Sequence, residues 1–398
     1  MTRSLLHEAR PEPVGVALLE KGFRPFFLCA AAYAVVAIPL FLAGWSGRYA
    51  PSAYLPSMYW HAHEMVFGFT MAVFAGFLLT AVENWTSRRT ARGAPLAGLV
   101  FLWIVGRVAM LAPAGFPDRV VALLDLAFLP ALLVACARPI LAAENSRNDG
   151  FVVLLAALWG SNAAVHLAAL GILDADWERR GSVVAVDLVV VAMVVMTGRI
   201  VPLFTRNALR MPGVASRPRL ERATLAAAAA LPLLDAFGAS PRVEGPIALV
   251  AGVCGLLRMA GWKSRYTLRD PLLWVLHAGC GWLATGLLLR GAGAVLAVPF
   301  ESGLHALTAG AIGTLTLGMM ARVALGHTGR ALVAPRGVTV AFGAVSACGV
   351  IRVAAPLVSP GVLAPLIVAG VLWSFAFGTY FVLYGRLLVL PRVDGRPG

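Results

Sequence analysis

The sequence predicts an all-α fold: a polytopic membrane protein in which residues 1–398 form one transmembrane domain of twelve helices. Three observations carry that prediction. Apolar residues make up 60% of the chain and charged residues only 13%. A soluble domain carries about 25% charged residues, so there is too little polar side chain here to cover a water-facing surface. Apolar stretches of about 20 residues, long enough to cross the hydrocarbon of a bilayer, recur from one end of the chain to the other. Basic residues gather in every second connection between those stretches.

In order, the predicted spans run roughly 24–45, 58–83, 96–112, 118–142, 150–171, 182–204, 220–238, 243–262, 271–290, 302–326, 335–356 and 361–388. The connections are short and carry Pro, Gly or Arg, as at 51–56 and 113–117. What remains is a short segment at 1–23 and a short carboxyl-terminal tail. The residues before the first span include Glu8, Glu12 and Glu20 and no small-residue cleavage site, so they do not read as a signal peptide. Of the 33 Lys and Arg, 25 fall in the amino terminus, the even-to-odd connections and the carboxyl terminus, against seven in the alternate connections. The positive-inside rule then puts both termini in the cytoplasm. The net charge of +14 is almost all arginine placed between apolar runs. It reads as topology signal and contact with anionic lipid rather than nucleic-acid binding.

An internal repeat accompanies this pattern. Helix 2 with its exit, at His63, Gly68, Gly76, Thr86 and Arg88, aligns without gaps to His305, Gly310, Gly318, Thr328 and Arg330 around helix 10. Helix 6 follows more weakly, with Arg199 and Thr205 on Arg322 and Thr328. Spacing by four predicts three four-helix units in pseudo-threefold relation.

Six of the seven histidines lie in the apolar runs or at their ends, and ionisable groups in a bilayer are costly and usually mark a site. His61 and His63 begin helix 2, His166 lies near the outer end of helix 5, and His305 near the start of helix 10. At 1.5 Å per residue these four share a layer within about 10 Å of the outer boundary. Neutral imidazole suits copper and iron, so the layer can hold a haem ligand plus a copper, or one multi-histidine metal. His61 and His63 point about 200° apart on an ideal helix, and both face one metal only where the helix is irregular. His277 and His327, nearer the cytoplasmic side, are candidate ligands of a second haem; His327 also reads as a polar helix end. Glu64 and Glu301 adjoin the outer layer, as partners that orient a ligating histidine or as proton carriers. Asp125, Asp187 and Asp235 lie further inside the spans and read as proton carriers or as partners of an arginine or the backbone. Arg199 and Arg322 are candidates for haem propionates, or snorkel to lipid phosphate. Met193 and Met196 read as a soft copper pair or as packing. The five cysteines sit singly in apolar runs and read as small hydrophobes. With no CxxCH sequence, any haem is non-covalent.

These residues resemble the NnrS family of bacterial haem- and copper-containing membrane proteins. The likeness rests on Lys21-Gly-Phe-Arg-Pro-Phe-Phe27, Trp60-His-Ala-His-Glu-Met65 with Gly68-Phe69, Gly76-Phe-Leu-Leu-Thr-Ala81 and Asn84-Trp-Thr86. It continues in Gly198-Arg-Ile-Val-Pro202 with Phe204-Thr205, and in Arg322-Val-Ala-Leu-Gly-His-Thr-Gly-Arg330. The resemblance implies haem b, copper, the cytoplasmic membrane and a link to nitric oxide in denitrification and nitrosative stress. The helix count, the repeat and the membrane histidines are also similar to the catalytic subunit of haem–copper oxidases and nitric oxide reductases. Helices 2 and 10 carry histidine in both; helices 6 and 7 here do not, and helices 5 and 9 do. The expectation is an oxidoreductase that reduces nitric oxide to nitrous oxide with electrons from membrane quinol. The alternatives are a haem- and copper-binding protein that protects against nitric oxide or handles metal without turnover, and a secondary transporter.

Overall fold

The computed structural model describes residues 16–143, 145–211, 213–358 and 361–396. His7, Glu8 and Glu12 lie outside the described residues. The fold is all-helical, with no strand among the described residues. Every predicted span falls on a helix. In chain order these are α1 (Phe23–Trp45), α2 (Ser57–Thr86), α3 (Ala94–Ala109), α4 (Asp118–Leu141), α5 (Gly150–Ala169) and α6 (Asp176–Leu209). The second half holds α7 (Pro218–Ala236), α8 (Pro241–Ala260), α9 (Pro271–Leu296), α10 (Phe300–His327), α11 (Arg336–Val358) and α12 (Leu363–Val389).

Ten of these helices, among the described residues, are long and apolar enough to cross a membrane. The other two fall outside that measure. The α3 helix is apolar but has 16 residues, about 24 Å of rise. The α7 helix carries Arg219, Glu221, Arg222 and Asp235, and its acids serve neighbouring helices: Glu221 pairs with Arg258 and Asp235 with Arg290.

Neighbours in sequence pack against one another around the bundle, and α12 packs along α1 to close it. The α6 helix touches both α2 and α10. Sequence motifs near the chain termini explain the closure. Arg24 donates to the carbonyls of Leu388 and Leu390 at 2.9 and 2.7 Å, tying α1 to the end of α12. Gly22 admits Leu79, since a Cβ there would lie 2.5 Å from that side chain.

The repeat shows in the backbone. Immediately after His63, α2 widens into a π-helical turn over Glu64–Thr70, and immediately after His305, α10 does so over Ala306–Ile312. The gap-free alignment of the two helices superimposes these turns residue for residue. The matching residues of α6, 183–189, are ordinary α-helix. A π turn loosens the carbonyl ladder and is frequent at functional sites. Here the slack is taken up by Thr70 Oγ1, which donates to Met65 O at 2.7 Å, and Trp103 Nε1, which donates to Gly68 O at 3.0 Å.

Close approach of α9, α10 and α11 depends on glycine. A Cβ on Gly310 would lie 2.7 Å from the Trp282 ring, which is anchored by its Nε1–H donating to Ser346 Oγ at 2.8 Å. Gly310→Ala is therefore expected to destabilise the protein by about 1–3 kcal/mol, the usual range for overpacking. Gly343→Ala on α11, where a Cβ meets nothing within 4 Å, is the control. Thermal midpoints in detergent check the pair, and equal midpoints would refute the packing argument.

Candidate functional site

The four histidines of the expected outer layer divide into two pairs on opposite sides of α2. The backbone irregularity starts at Glu64, after His61 and His63, so the two rings keep the divergence of a regular helix. His61 stacks on Phe41, with ring centroids 4.0 Å apart, and faces a cavity. His63 turns the other way, towards α4 and α5.

The cavity measures about 750 Å³ and is walled by α1, α2, α6, α10, α11 and α12. His61 and His305 both line it, as do Glu301, Arg179, Arg352 and Trp373. The remaining wall is mostly apolar, and Phe69 and Trp373 on it pack against Phe377 behind, the Phe69 and Phe377 centroids being 4.9 Å apart. His305 Nδ1 donates to Glu301 O at 2.7 Å, which leaves Nε2 as the acceptor, met by Arg352 Nη2 at 2.5 Å. His61 Nδ1 and Trp373 Nε1 are buried without hydrogen-bond partners. Unpaired buried polar atoms are uncommon and call for an occupant or a role.

On the other face of α2 lies a closed ionic network. Arg107 of α3 binds both Glu64 and Asp125. Tyr33 OH donates to Glu64, and Asn162 Nδ2 donates to Asp125 Oδ2 at 2.8 Å. His63 Nδ1 meets Glu64 Oε1 at 2.8 Å, and Nε2 meets Asn162 Oδ1 at 2.9 Å and Asp125 Oδ2 at 3.3 Å. Both nitrogens face acceptors, so both donate and the ring carries two protons. His166 Nε2 donates to Asp125 Oδ2 at 2.9 Å while Nδ1 accepts from Tyr54 OH at 2.9 Å. Two cations, Arg107 and His63, thus balance two carboxylates. Neutrality is what makes burial tolerable, because an unpaired buried charge is strongly destabilising. Tyr54 lies in the connection before α2, where burial pushes its phenol well above its ordinary pKa and keeps it a hydrogen-bond donor. Nitrogen and oxygen atoms of His63, Asp125 and His166 lie within 4.8 Å of one another, close enough to share a metal ion.

The other expected residues lie apart from both places. His277 bonds through both nitrogens, Nε2 with Thr205 Oγ1 at 2.9 Å and Nδ1 with Ser264 Oγ at 2.8 Å. His327 packs on Phe23 with centroids 5.5 Å apart, and its carbonyl accepts from Arg392 at 2.9 Å. The two share no contact. Arg199 donates to Asn148 Oδ1 at 2.8 Å, and Arg322 lies 4.2 Å over the Phe204 ring. Met193 and Met196 line, with Met319, a small apolar cavity of about 70 Å³. Sequence reasoning missed Arg179, Arg352, Trp373, Tyr33, Tyr54 and Asn162. Arg107 alone carried a signal, as a cation in the middle of an apolar run.

A family profile described as NnrS protein matches residues 17–392. No curated protein matches the chain.

Proposed function

The chain belongs to the NnrS family, and from that premise we propose that it is a haem- and copper-containing redox protein that reduces nitric oxide to nitrous oxide. Electrons would come from membrane quinol, and both termini would face the cytoplasm of the inner membrane, as the alternation of basic residues favours. The family is linked to nitric oxide, and the helices suit a lipid bilayer. The observation that carries the reading is the meeting of His61 and His305 on one cavity.

That cavity suits haem b. Its volume lies within the roughly 300–1,000 Å³ typical of small-molecule and cofactor sites, its walls are mostly apolar, and it is lined by His61, whose Nδ1 has no hydrogen-bond partner, and by His305, whose Nε2 would give up its Arg352 donor to become a ligand. Haem bound there would supply one-electron transfer. Arg179 and Arg352 are the two cations on the wall and suit its carboxylates. The apolar wall excludes water, and Glu301 is placed to pass protons between the cavity and its surroundings.

The second metal fits His63, Asp125 and His166. Two imidazoles and one carboxylate are a ligand set for iron or copper. Seating a metal there requires His63 to lose its Nε2 proton and His166 to carry its proton on Nδ1, facing Tyr54. Glu64 then orients His63 through Nδ1. The overall reaction joins two nitric oxide molecules, two electrons and two protons into nitrous oxide and water.

The deciding experiment is a reduced-minus-oxidised and pyridine-haemochrome spectrum of detergent-purified protein, with elemental analysis, followed by nitric oxide consumption with a quinol donor. Non-covalent haem with near-stoichiometric copper and steady nitrous oxide formation is the expected result. Stoichiometric uptake of nitric oxide without nitrous oxide would assign a binding role. Haem-free protein from haem-replete cells would overturn the reading in favour of transport.

A further inference from the structure

Helices α6 to α9 meet at a second buried ionic cluster. Arg290 of α9 binds a carboxylate from each of the other three: Asp187 Oδ1 of α6 at 2.5 Å, Asp235 of α7 and Glu244 of α8. Unlike the network around Arg107, this one does not balance, because three carboxyl groups face a single guanidinium. Among the described residues no histidine or lysine bonds to it. Arg180, which approaches Gly238 just past α7, pairs with Asp176 at 2.5 Å instead. The Asp187 side chain is fully buried, and its Oδ2 has no hydrogen-bond partner. An unpaired carboxylate oxygen in that setting is costly, and a proton on it removes the buried charge.

Two features give the cluster a direction. Asp235 and Glu244 are 15% and 13% exposed while Asp187 is 0% exposed, so the acids lead from an accessible edge inwards. At the inner end, residues adjoining the cluster line the cavity. Val186, next to Asp187, lines it, and so does Phe300, whose ring lies 6.0 Å from the Arg290 guanidinium carbon.

We propose that Asp187, with Asp235 and Glu244 on Arg290, is a proton-holding site that supplies the cavity between α2 and α10. The role as a supply rests on the proposed reduction of nitric oxide, which consumes one proton per nitric oxide. The proton enters at Asp235 or Glu244, passes to Asp187 Oδ2, and leaves for the cavity as the electron arrives.

Infrared spectra of the full-length protein in detergent at neutral pH, compared in H2O and D2O, test the site without turnover. A protonated-carboxyl C=O band that shifts on deuteration is expected in the wild type. It should be lost in Asp187→Asn and displaced but retained in Asp187→Glu. Asp187→Asn should also slow nitric oxide consumption by about 100-fold, the lower end of what a positioned proton donor contributes, with the haem spectrum unchanged. A wild type without the band, or a band that survives Asp187→Asn, would overturn the proposal. If Asp187→Asn does not fold, the wild-type spectrum and the Asp187→Glu displacement still decide. A band that depends on Asp187 in a protein that consumes no nitric oxide supports the proton site and removes the reductase reading instead.

Discussion

On the proposed reading, replacing His61 or His305 with alanine is expected to give a folded protein that does not retain haem. Both rings line the cavity. His61 Nδ1 is buried without a partner, and His305 Nε2 meets only the guanidinium of Arg352. Losing an outer hydrogen-bond partner of a metal ligand typically lowers affinity by about 10–100-fold, and losing the ligand itself should cost more. His277→Ala and His327→Ala are the matched comparisons. The first removes a ring already engaged by Thr205 and Ser264, and the second a ring packed on Phe23, so both variants should keep their haem. Haem per polypeptide by pyridine haemochrome checks all four. A loss confined to the His277 and His327 variants would move the haem out of this cavity altogether.

Arg107→Ala is the second large effect expected, and it falls on stability. The side chain is 8% exposed and bridges Glu64 and Asp125, both fully buried. Its removal strands two carboxylates with only His63 to balance them. Breaking a buried ion pair from one side costs about 3–5 kcal/mol, a large fraction of the roughly 5–15 kcal/mol that holds a domain folded. Arg107→Lys should not restore it fully, because a point charge cannot span two carboxylates as a planar fork does. Arg107→Ala combined with Asp125→Asn should recover part of the loss, since one stranded charge is then gone. Thermal midpoints in detergent read the series. If the single variant melted like the wild type, the charge balance drawn around α2 would be wrong.

Much of the fold was legible in the sequence, because membrane burial leaves a coarse signal. Runs of apolar residues gave the helices in order, and each predicted span falls on one. Ten of the twelve helices are long and apolar enough to cross a membrane among the described residues, and α3 and α7 are the two outside that set. The α3 helix is short, and the acids of α7 serve arginines on α8 and α9. The pairing of α2 with α10 was legible too, and the shared π turn after His63 and His305 gives it a structural counterpart. The site was legible only as a set of residue types. Tyr33, Tyr54, Asn162 and Trp373 are ordinary residues in apolar surroundings, and no spacing along the chain marks them.

Residue composition and order along the chain establish an all-helical membrane protein of the NnrS family whose histidines are its chemically distinctive residues. The reason is that helix formation and bilayer burial depend on local composition, which a chain carries in order. The grouping of the histidines comes from how the helices pack. His61 and His63 are two residues apart yet serve opposite faces of α2, while His61 and His305, 244 positions apart in the chain, line one cavity. Helix packing also decided which charges balance: Arg107 with two carboxylates and a histidine, Arg290 with three carboxyl groups and none. Electrostatic compensation in a buried site depends on distances between helices, and those are set by packing.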